Sequence, residues 1–208
     1  MKKSLLFTFF FMGLSGLGWA QVTWGVQAGL SLSYLLERTE GTPTMDENKL
    51  LVGPSLGVDA LVPLYEQRLW LRSGLRLLSA GEANEIGTGG EFTPIRLWYS
   101  QLPLDLAFRL TPSLEFRGGI WGGLLVGHNL TIDDLSRVDG GWACGFSWII
   151  NPHWEFGLRY GQSLVDVYDA RKLIFESDPE ELKIGVRNQL MGVFITYFWA
   201  AERPVEKK

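Results

Sequence analysis

Cysteine, histidine and basic residues are scarce in this sequence of 208 residues. Its single cysteine, Cys144, excludes an internal disulfide framework and any metal site built from several thiolates. Lysine and arginine number 19 against 23 aspartates and glutamates, which argues against a nucleic-acid partner because phosphate binding needs a basic surface. The chain is instead rich in hydrophobic residues (46%), with 25 glycines and 9 tryptophans. This composition excludes intrinsic disorder and indicates an all-β protein with aromatic anchors.

Long apolar runs are also missing, except at the N-terminus. Residues Met1–Ala20 begin with two lysines, continue with the apolar segment Leu5–Leu14 and end in a small-residue cleavage site. This order is typical of a secretory signal peptide, and the apolar segment is too short for a membrane-spanning helix. We therefore expect residues 1–20 to be a signal peptide and the mature chain to be exported by a bacterium.

Apolar and small or polar residues alternate along the rest of the chain. In Val22–Leu35 every even position from Trp24 to Tyr34 is apolar, and the odd positions between them are threonine, glycine, glutamine or serine. Strands in soluble sheets usually have about 5–6 residues, whereas a strand that crosses a membrane needs about 9–11. The length of this segment therefore favours a membrane-spanning strand. The pattern predicts an all-β, eight-stranded antiparallel up-and-down transmembrane β-barrel of the outer-membrane type. The expected strands are Val22–Leu35, Val52–Leu64, Arg68–Ser79, Thr93–Leu110, Leu114–Val126, Gly141–Ile150, Trp154–Leu164 and Ile184–Trp199.

Two of these strands change the parity of their apolar positions. In the fourth, Ile95, Leu97 and Tyr99 are odd, whereas the apolar positions from Leu102 onward are even; in the eighth, the change comes before Met191. A shift of one residue moves every following side chain to the other face of a strand. We therefore expect each strand either to hold a β-bulge or to leave the membrane before the change.

The connections between the strands alternate in length. Short turns are expected near Pro63–Gln67, Thr111–Ser113 and Asn151–His153, and long connections at Glu37–Lys49, Gly81–Glu91, Gly127–Asp139 and Asp166–Lys183. Short turns at one end and long loops at the other are typical of an outer-membrane barrel with both chain ends in the periplasm. We expect one barrel domain, residues 21–199, followed by a charged tail at residues 200–208.

Charged residues occur on the polar face of five strands. Eight strands enclose a space just wide enough for side chains to fill, and charges that lose water there must pair. The sequence therefore predicts an ion-pair network that plugs the lumen and leaves no open pore. Its expected members are Asp59, Arg72, Arg76, Asp105, Arg109, Glu115, Arg117, Glu155 and Arg159.

Aromatic residues near the strand ends are candidates for membrane-interface girdles, because their rings combine an apolar body with a polar edge. The alternative is an aromatic box that binds a ligand, and the lipid-facing parity that we assign to these residues favours the girdles. Trp24, Trp154, Tyr197 and Trp199 are expected near the periplasmic ends, and Tyr34, Tyr99 and Trp142 near the opposite ends.

Four segments give the chain a resemblance to a known family. They are WGVQAGLSLS at Trp24–Ser33, YSQLPLDLAFRL at Tyr99–Leu110, FRGGIWGGLLV at Phe116–Val126 and RNQLMGVFITYFW at Arg187–Trp199. Together they resemble the PorT-like outer-membrane β-barrel family of Bacteroidetes-type bacteria. The resemblance implies an eight-stranded outer-membrane barrel, and it suggests a link to secretion or surface assembly, as in some relatives.

Few groups of residues in the sequence could form a catalytic or metal-binding site. His128 could form a rim group with Ser136 and Asp133, but loop residues at these spacings have no fixed mutual geometry. Acidic clusters at Asp133-Asp134 and Glu176–Glu181 could bind divalent cations or form a solvated negative surface. We expect no enzymatic activity, no cofactor and no metal site.

Two alternatives to this interpretation stay open from the sequence. One is a rim-site outer-membrane enzyme that acts on lipid, and the other is a soluble periplasmic lipocalin-like binding barrel. The lipocalin-like barrel would need apolar residues inside and polar residues outside. The expected partners are outer-membrane lipid, the barrel-assembly machinery during biogenesis, and a protein partner at the outer loops; nucleic acid is not expected.

Overall fold

A computed structural model describes residues 22–39, 42–44, 50–65, 68–85, 94–129, 135–169 and 185–199. All regular structure in these ranges is β-strand. The same ranges contain no helix with the length and apolar character needed to cross a membrane. The expected signal peptide at residues 1–20, the tail at 200–208 and the acidic clusters Asp133-Asp134 and Glu176–Glu181 lie outside the described residues.

Eight long strands close into an antiparallel barrel, which confirms the predicted fold class. In chain order the strands are β1 (Thr23–Thr39), β2 (Thr42–Thr44), β3 (Leu51–Tyr65), β4 (Leu69–Glu85), β5 (Pro94–Thr111), β6 (Leu114–His128), β7 (Val138–Ile149), β8 (Trp154–Ser163), β9 (Tyr168–Asp169) and β10 (Gly185–Phe198). The ring runs β1-β3-β4-β5-β6-β7-β8-β10 and closes by pairing β10 with β1; the short β2 and β9 extend β1 and β10 at one end.

The two ends of the barrel differ. Tight connections after β3, β5 and β7 mark one end, which we name the turn end; the opposite end is the loop end. Strands β4, β6 and β7 run further toward the loop end than expected, so that parts of the predicted connections Gly81–Glu91 and Gly127–Asp139 are strand.

Alternate residues of each strand face inward and outward as the sequence pattern predicts. In β1, Thr23, Gln27 and Ser31 are buried inside, whereas Trp24 and Leu30 are exposed on the outer wall. The same outer wall carries Leu102 on β5, which is 61% exposed, and Ile120 on β6, which is 62% exposed. The barrel is thus apolar outside and largely polar inside, which is the reverse of a lipocalin-like soluble barrel.

The two parity changes do not reverse the strands: of the two alternatives, a bulge that turns the strand over is found in neither β5 nor β10. Odd residues of β5 face inward along its whole described length, from Ile95 through Tyr99 to Asp105. The β5–β6 pairing is irregular at Trp98/Tyr99, but the facing of β5 is unchanged, and β10 pairs with β1 without interruption. The apolar residues change parity because the lumen itself becomes apolar toward the loop end.

A hairpin that bends into the barrel explains why the lumen is apolar at the loop end. The loop-end parts of β4 and β5, Ser79–Glu85 and Pro94–Tyr99, form what we call the capping hairpin. Inward-facing Ser33 of β1 donates a hydrogen bond to the Gly81 carbonyl oxygen at 2.9 Å, and the Ser31 hydroxyl lies 2.5 Å from the Ser79 carbonyl oxygen. Because β3 separates β1 from β4 in the wall, these contacts place the hairpin inside the mouth of the barrel.

Apolar clusters occupy the lumen toward both ends. At the loop end, residues of the capping hairpin pack with residues of β1, β6, β7, β10 and the segment before β9; they include Leu35, Ala80, Leu97, Tyr99, Trp121, Val167, Val186 and Leu190. At the turn end, Leu61, Trp70, Ala107 and Phe198 form a smaller cluster. The polar part of the lumen lies between these two layers.

Candidate functional site in the lumen

Arg72 lies at the centre of the polar layer. Its guanidinium group is fully buried and contacts Asp59 Oδ2 at 2.5 Å and Glu155 Oε1 at 2.6 Å. It also donates to the Thr196 hydroxyl at 3.3 Å. These partners stand on β3, β8 and β10, so one side chain links a neighbouring strand to the far wall. Charge-assisted hydrogen bonds of this kind are among the strongest polar contacts in a protein interior.

Further charged side chains extend the network. Arg159 on β8 makes a bidentate contact with Asp105 on β5, at 2.6 Å and 3.1 Å. Arg117 lies 3.7 Å from Glu155 and stacks over the Phe194 ring at 4.7 Å from its centroid. The sequence-predicted residues on β3 to β8 are therefore brought into one layer of alternating charge.

Three predicted members hold peripheral places in this layer. Arg76 reaches Asp59 Oδ1 at 3.4 Å, a longer contact than the one that Arg72 makes. Glu115 is buried and interacts electrostatically with Arg72 and Arg117. Arg109 lies toward the turn end, with its guanidinium carbon 5.9 Å from the centroid of the Trp70 ring.

Glycines stand directly across from the charged residues on neighbouring strands. Gly74 pairs with Asp59, Gly119 with Asp105, and Gly145 with Arg159. A β-carbon at Gly119 would come within 2.8 Å of the Asp105 carboxylate. The glycine-rich polar face thus provides the space in which an eight-stranded barrel accommodates long charged side chains.

A small cavity lies inside the barrel between the charged layer and the loop-end apolar cluster. Its volume is about 50 Å³, and its polar lining comes from Gln27, Ser31, Ser55, Arg76, Gln101, Trp121 and Arg159. Gln27, Arg76 and Gln101 are more than nine-tenths buried. The cavity lies between the apolar clusters at the two ends of the lumen.

A second polar group inside the barrel was not predicted. Near the loop end, Asp139 accepts hydrogen bonds from Ser163 and, at 3.0 Å, from the side-chain amide of Asn188, which also lies 3.2 Å from the Tyr99 hydroxyl. The odd parity of Asp139 continues the inward face of β7 by one further step. Extending the alternation beyond Gly141 could therefore have identified it.

The predicted girdle residues occupy the outer wall, with one exception. At the turn end Trp154 lies 5.0 Å from Tyr197 between ring centroids, and the Trp199 ring lies 6.4 Å from Tyr197 on the other side. Trp24 is exposed at the same end, and Trp142 is exposed and Tyr34 half-buried at the loop end. Tyr99 is 1% exposed and faces the lumen. Its assignment to a girdle is wrong because odd residues of β5 face inward.

The rim residues considered for catalysis are not assembled by the described structure. The Ser136 hydroxyl donates to the Val138 carbonyl oxygen at 2.8 Å, and His128 is exposed at the end of β6. Asp133 lies outside the described residues. Within the ranges that the structure describes, no group of histidine, cysteine, aspartate and glutamate side chains is arranged to hold a metal ion.

Solved structures of small outer-membrane barrels are similar to this chain. Neisserial surface protein A superposes with a TM-score of 0.51 at 13% identity, over 84% of this chain and 96% of that one. Ail, the attachment invasion locus protein of Yersinia pestis, gives a TM-score of 0.49 at 12% identity, over 86% and 99%. No protein-family model and no curated protein matches the chain. The likeness to the Neisserial protein shows the fold: this chain has the architecture of the small eight-stranded outer-membrane barrels.

Proposed function

We propose that this protein is a non-enzymatic barrel of the bacterial outer membrane with a plugged lumen, which acts through its loops and outer wall as a structural or interaction component. The sealed interior is the observation that supports this proposal. Arg72, Asp59 and Glu155 fill the middle of the lumen, and apolar clusters cover it on both sides. A hydrated path for ions or solutes would have to cross three filled layers.

The outer wall supports the membrane location. Leu56 on β3, Leu102 on β5 and Ile195 on β10 are each about half exposed or more, and similar side chains cover the strands between them. Soluble monomers seldom expose a continuous apolar surface larger than a few hundred Å². A closed ring also satisfies the backbone groups of every strand, as hydrocarbon requires. Outer-membrane lipid is therefore the proposed environment of this wall, and the barrel-assembly machinery the proposed route of insertion.

Conductance measurements test the plug. Purified protein inserted into a planar lipid bilayer should show no steady current, with a general porin as positive control in the same bilayers. Reproducible porin-sized channels from the wild type would contradict a plugged lumen. Fractionation tests the location independently: the protein should sediment with membranes and migrate differently on SDS gels with and without boiling, since a ring without edges resists opening. Recovery in the soluble fraction would refute the membrane assignment.

The resemblance to PorT-like barrels adds a narrower proposal, that the loop end contacts a protein partner in secretion or surface assembly. Detergent extraction from the native membrane followed by affinity capture tests it. Co-purification of a secretion component, lost when the connection between β6 and β7 is replaced by a short glycine-serine loop, is expected. Capture that does not change on this replacement would contradict a role for that loop.

A further inference from the structure

The lumenal cavity has an unusual charge environment. Among the residues that line it are two arginines, Arg76 and Arg159, and no aspartate or glutamate. Asp59 and Asp105, the carboxylates paired with these arginines, do not line the cavity. The charged side chains that line the cavity are therefore all cationic, although the charged layer beside it contains both signs.

Hydrogen-bonding capacity in the same chamber is not used within the protein. Arg76 Nε and Gln101 Nε2 are buried donors without a hydrogen-bond partner, and both residues line the cavity. Gln27 Oε1 is likewise unpartnered, and a half-turn of that amide would direct its NH₂ group to the same side. A buried donor that loses water without a new acceptor costs about 1–3 kcal/mol, so two or three of them in one chamber call for an acceptor.

Size and charge together select the acceptor. One water molecule needs roughly 10–15 Å³ of such space, and the cavity offers about 50 Å³. A monatomic anion fits with one or two waters, whereas a bulky organic acid does not. Water alone would satisfy the donors but would leave the guanidinium of Arg76 with one long carboxylate contact, to Oδ1 of Asp59, whose other oxygen already pairs with Arg72.

We propose that the cavity is a buried binding site for a small monovalent inorganic anion of halide size, held by Arg76 and Gln101 with support from Arg159. The anion is a structural ligand. It completes the neutralisation of the charged layer on the side that faces the capping hairpin, and it enters while the barrel folds, before the hairpin covers the chamber.

Bromide crystallography tests the site directly. The wild-type protein is folded in detergent in sodium bromide, crystallised, and measured at the bromine absorption edge. We expect an anomalous peak inside the lumen within hydrogen-bond distance of Arg76 or Gln101. Density without anomalous signal in the cavity would mean that only water is bound, and it would overturn the proposal. Peaks confined to the protein surface would do the same.

A stability titration tests the role of the anion in solution. The unfolding midpoint of the wild type should rise as gluconate, which is too large for the chamber, is replaced by bromide at constant ionic strength, because a ligand that binds only the folded state stabilises it. Gln101→Leu keeps every charge but removes a donor, and we expect it to weaken the apparent bromide affinity about tenfold, equivalent to 1.4 kcal/mol. Gln162→Leu, the same change on the outer face of β8, should respond like the wild type.

The comparison separates a specific site from a general salt effect. A midpoint that rises equally in wild type, Gln101→Leu and Gln162→Leu would contradict the proposal, as would the absence of any rise in the wild type. Should Gln101→Leu fail to fold, the anomalous map of the wild type decides alone.

Discussion

Arg72 and Glu155 form a 2.6 Å ion pair across the full width of the barrel. Their strands, β4 and β8, are separated by β5, β6 and β7 in one direction and by β3, β1 and β10 in the other. Opposite walls of the lumen are thus joined through a single guanidinium group, which also contacts Asp59. This contact can exist only in a closed ring with a narrow interior.

Removal of this central cation should be costly. Arg72→Met leaves Asp59 and Glu155 as buried carboxylates without their main partner, and we expect the free energy of unfolding to fall by about 3–5 kcal/mol. Urea denaturation in lipid vesicles, followed by the gel shift of the folded barrel, measures the change. Arg68→Met is the matched control, since Arg68 is exposed at the β3–β4 turn and should change stability little. Equal stability of the two variants would refute the central role of Arg72.

The glycines that face charged residues should not tolerate even a methyl group. In Gly119→Ala the new carbon would lie 2.1 Å from the Leu104 carbonyl oxygen and 2.8 Å from the Asp105 carboxylate, and we expect a loss of about 1–3 kcal/mol from overpacking. Gly122→Ala on the same strand is the control, because nothing lies within 4 Å of its new carbon. The same denaturation assay compares the two. If Gly122→Ala destabilised the barrel as much as Gly119→Ala, strand propensity rather than lumenal space would explain the glycines.

The capping hairpin should depend on its hydroxyl contacts with β1. In the double variant Ser31→Ala/Ser33→Ala the carbonyl oxygens of Ser79 and Gly81 lose their donors, and amide hydrogen exchange along Ser79–Glu82 should accelerate. Ser73→Ala removes a similar bond, to the Pro103 carbonyl oxygen at 2.9 Å, and should leave exchange in that segment unchanged. Unaltered exchange in the double variant would show that apolar packing alone holds the hairpin.

Cysteine labelling can establish which end of the barrel faces outward. In a Cys144→Ala background, Arg137→Cys at the loop end should react with an impermeant maleimide on intact cells. Ser113→Cys at the turn end should react only after lysis, since both positions are exposed but on opposite sides of the proposed membrane. Labelling of Ser113→Cys alone on intact cells would reverse the proposed orientation.

Much of this architecture follows from alternation, which fixes the direction of each side chain. It places Arg72, Asp105 and Glu155 in the interior from the sequence alone. Alternation does not fix the height of a side chain along the barrel axis or its angle around the ring. The ion pairs of Arg72 with Glu155 and of Arg159 with Asp105 therefore could not be predicted from the sequence. Those partners depend on how far each strand is displaced along its neighbour.

Tyr99 shows where alternation misleads. Because an apolar run on one parity usually marks the lipid-facing side, the sequence predicts a change of face where the parity changes. In the capping hairpin both faces of the strands are covered, one by the loop-end cluster and one by β1, so apolar residues no longer mark the outside. The sequence carries no signal that a hairpin bends into the barrel, apart from Gly81, whose φ of +132° few other residues adopt.

The correspondence between charge and glycine also acts as a register code. Asp105 faces Gly119, and a slip of two residues between β5 and β6 would preserve every inward and outward assignment while it set Asp105 against Trp121 or Arg117. Hydrophobic patterning cannot distinguish these alignments, because in each of them the same residues face the lipid and the same residues face the lumen. The glycines can, since only one alignment sets Gly74, Gly119 and Gly145 opposite Asp59, Asp105 and Arg159. The strands of this barrel, which share the same alternating pattern, thereby acquire a single alignment from residues that have no side chain.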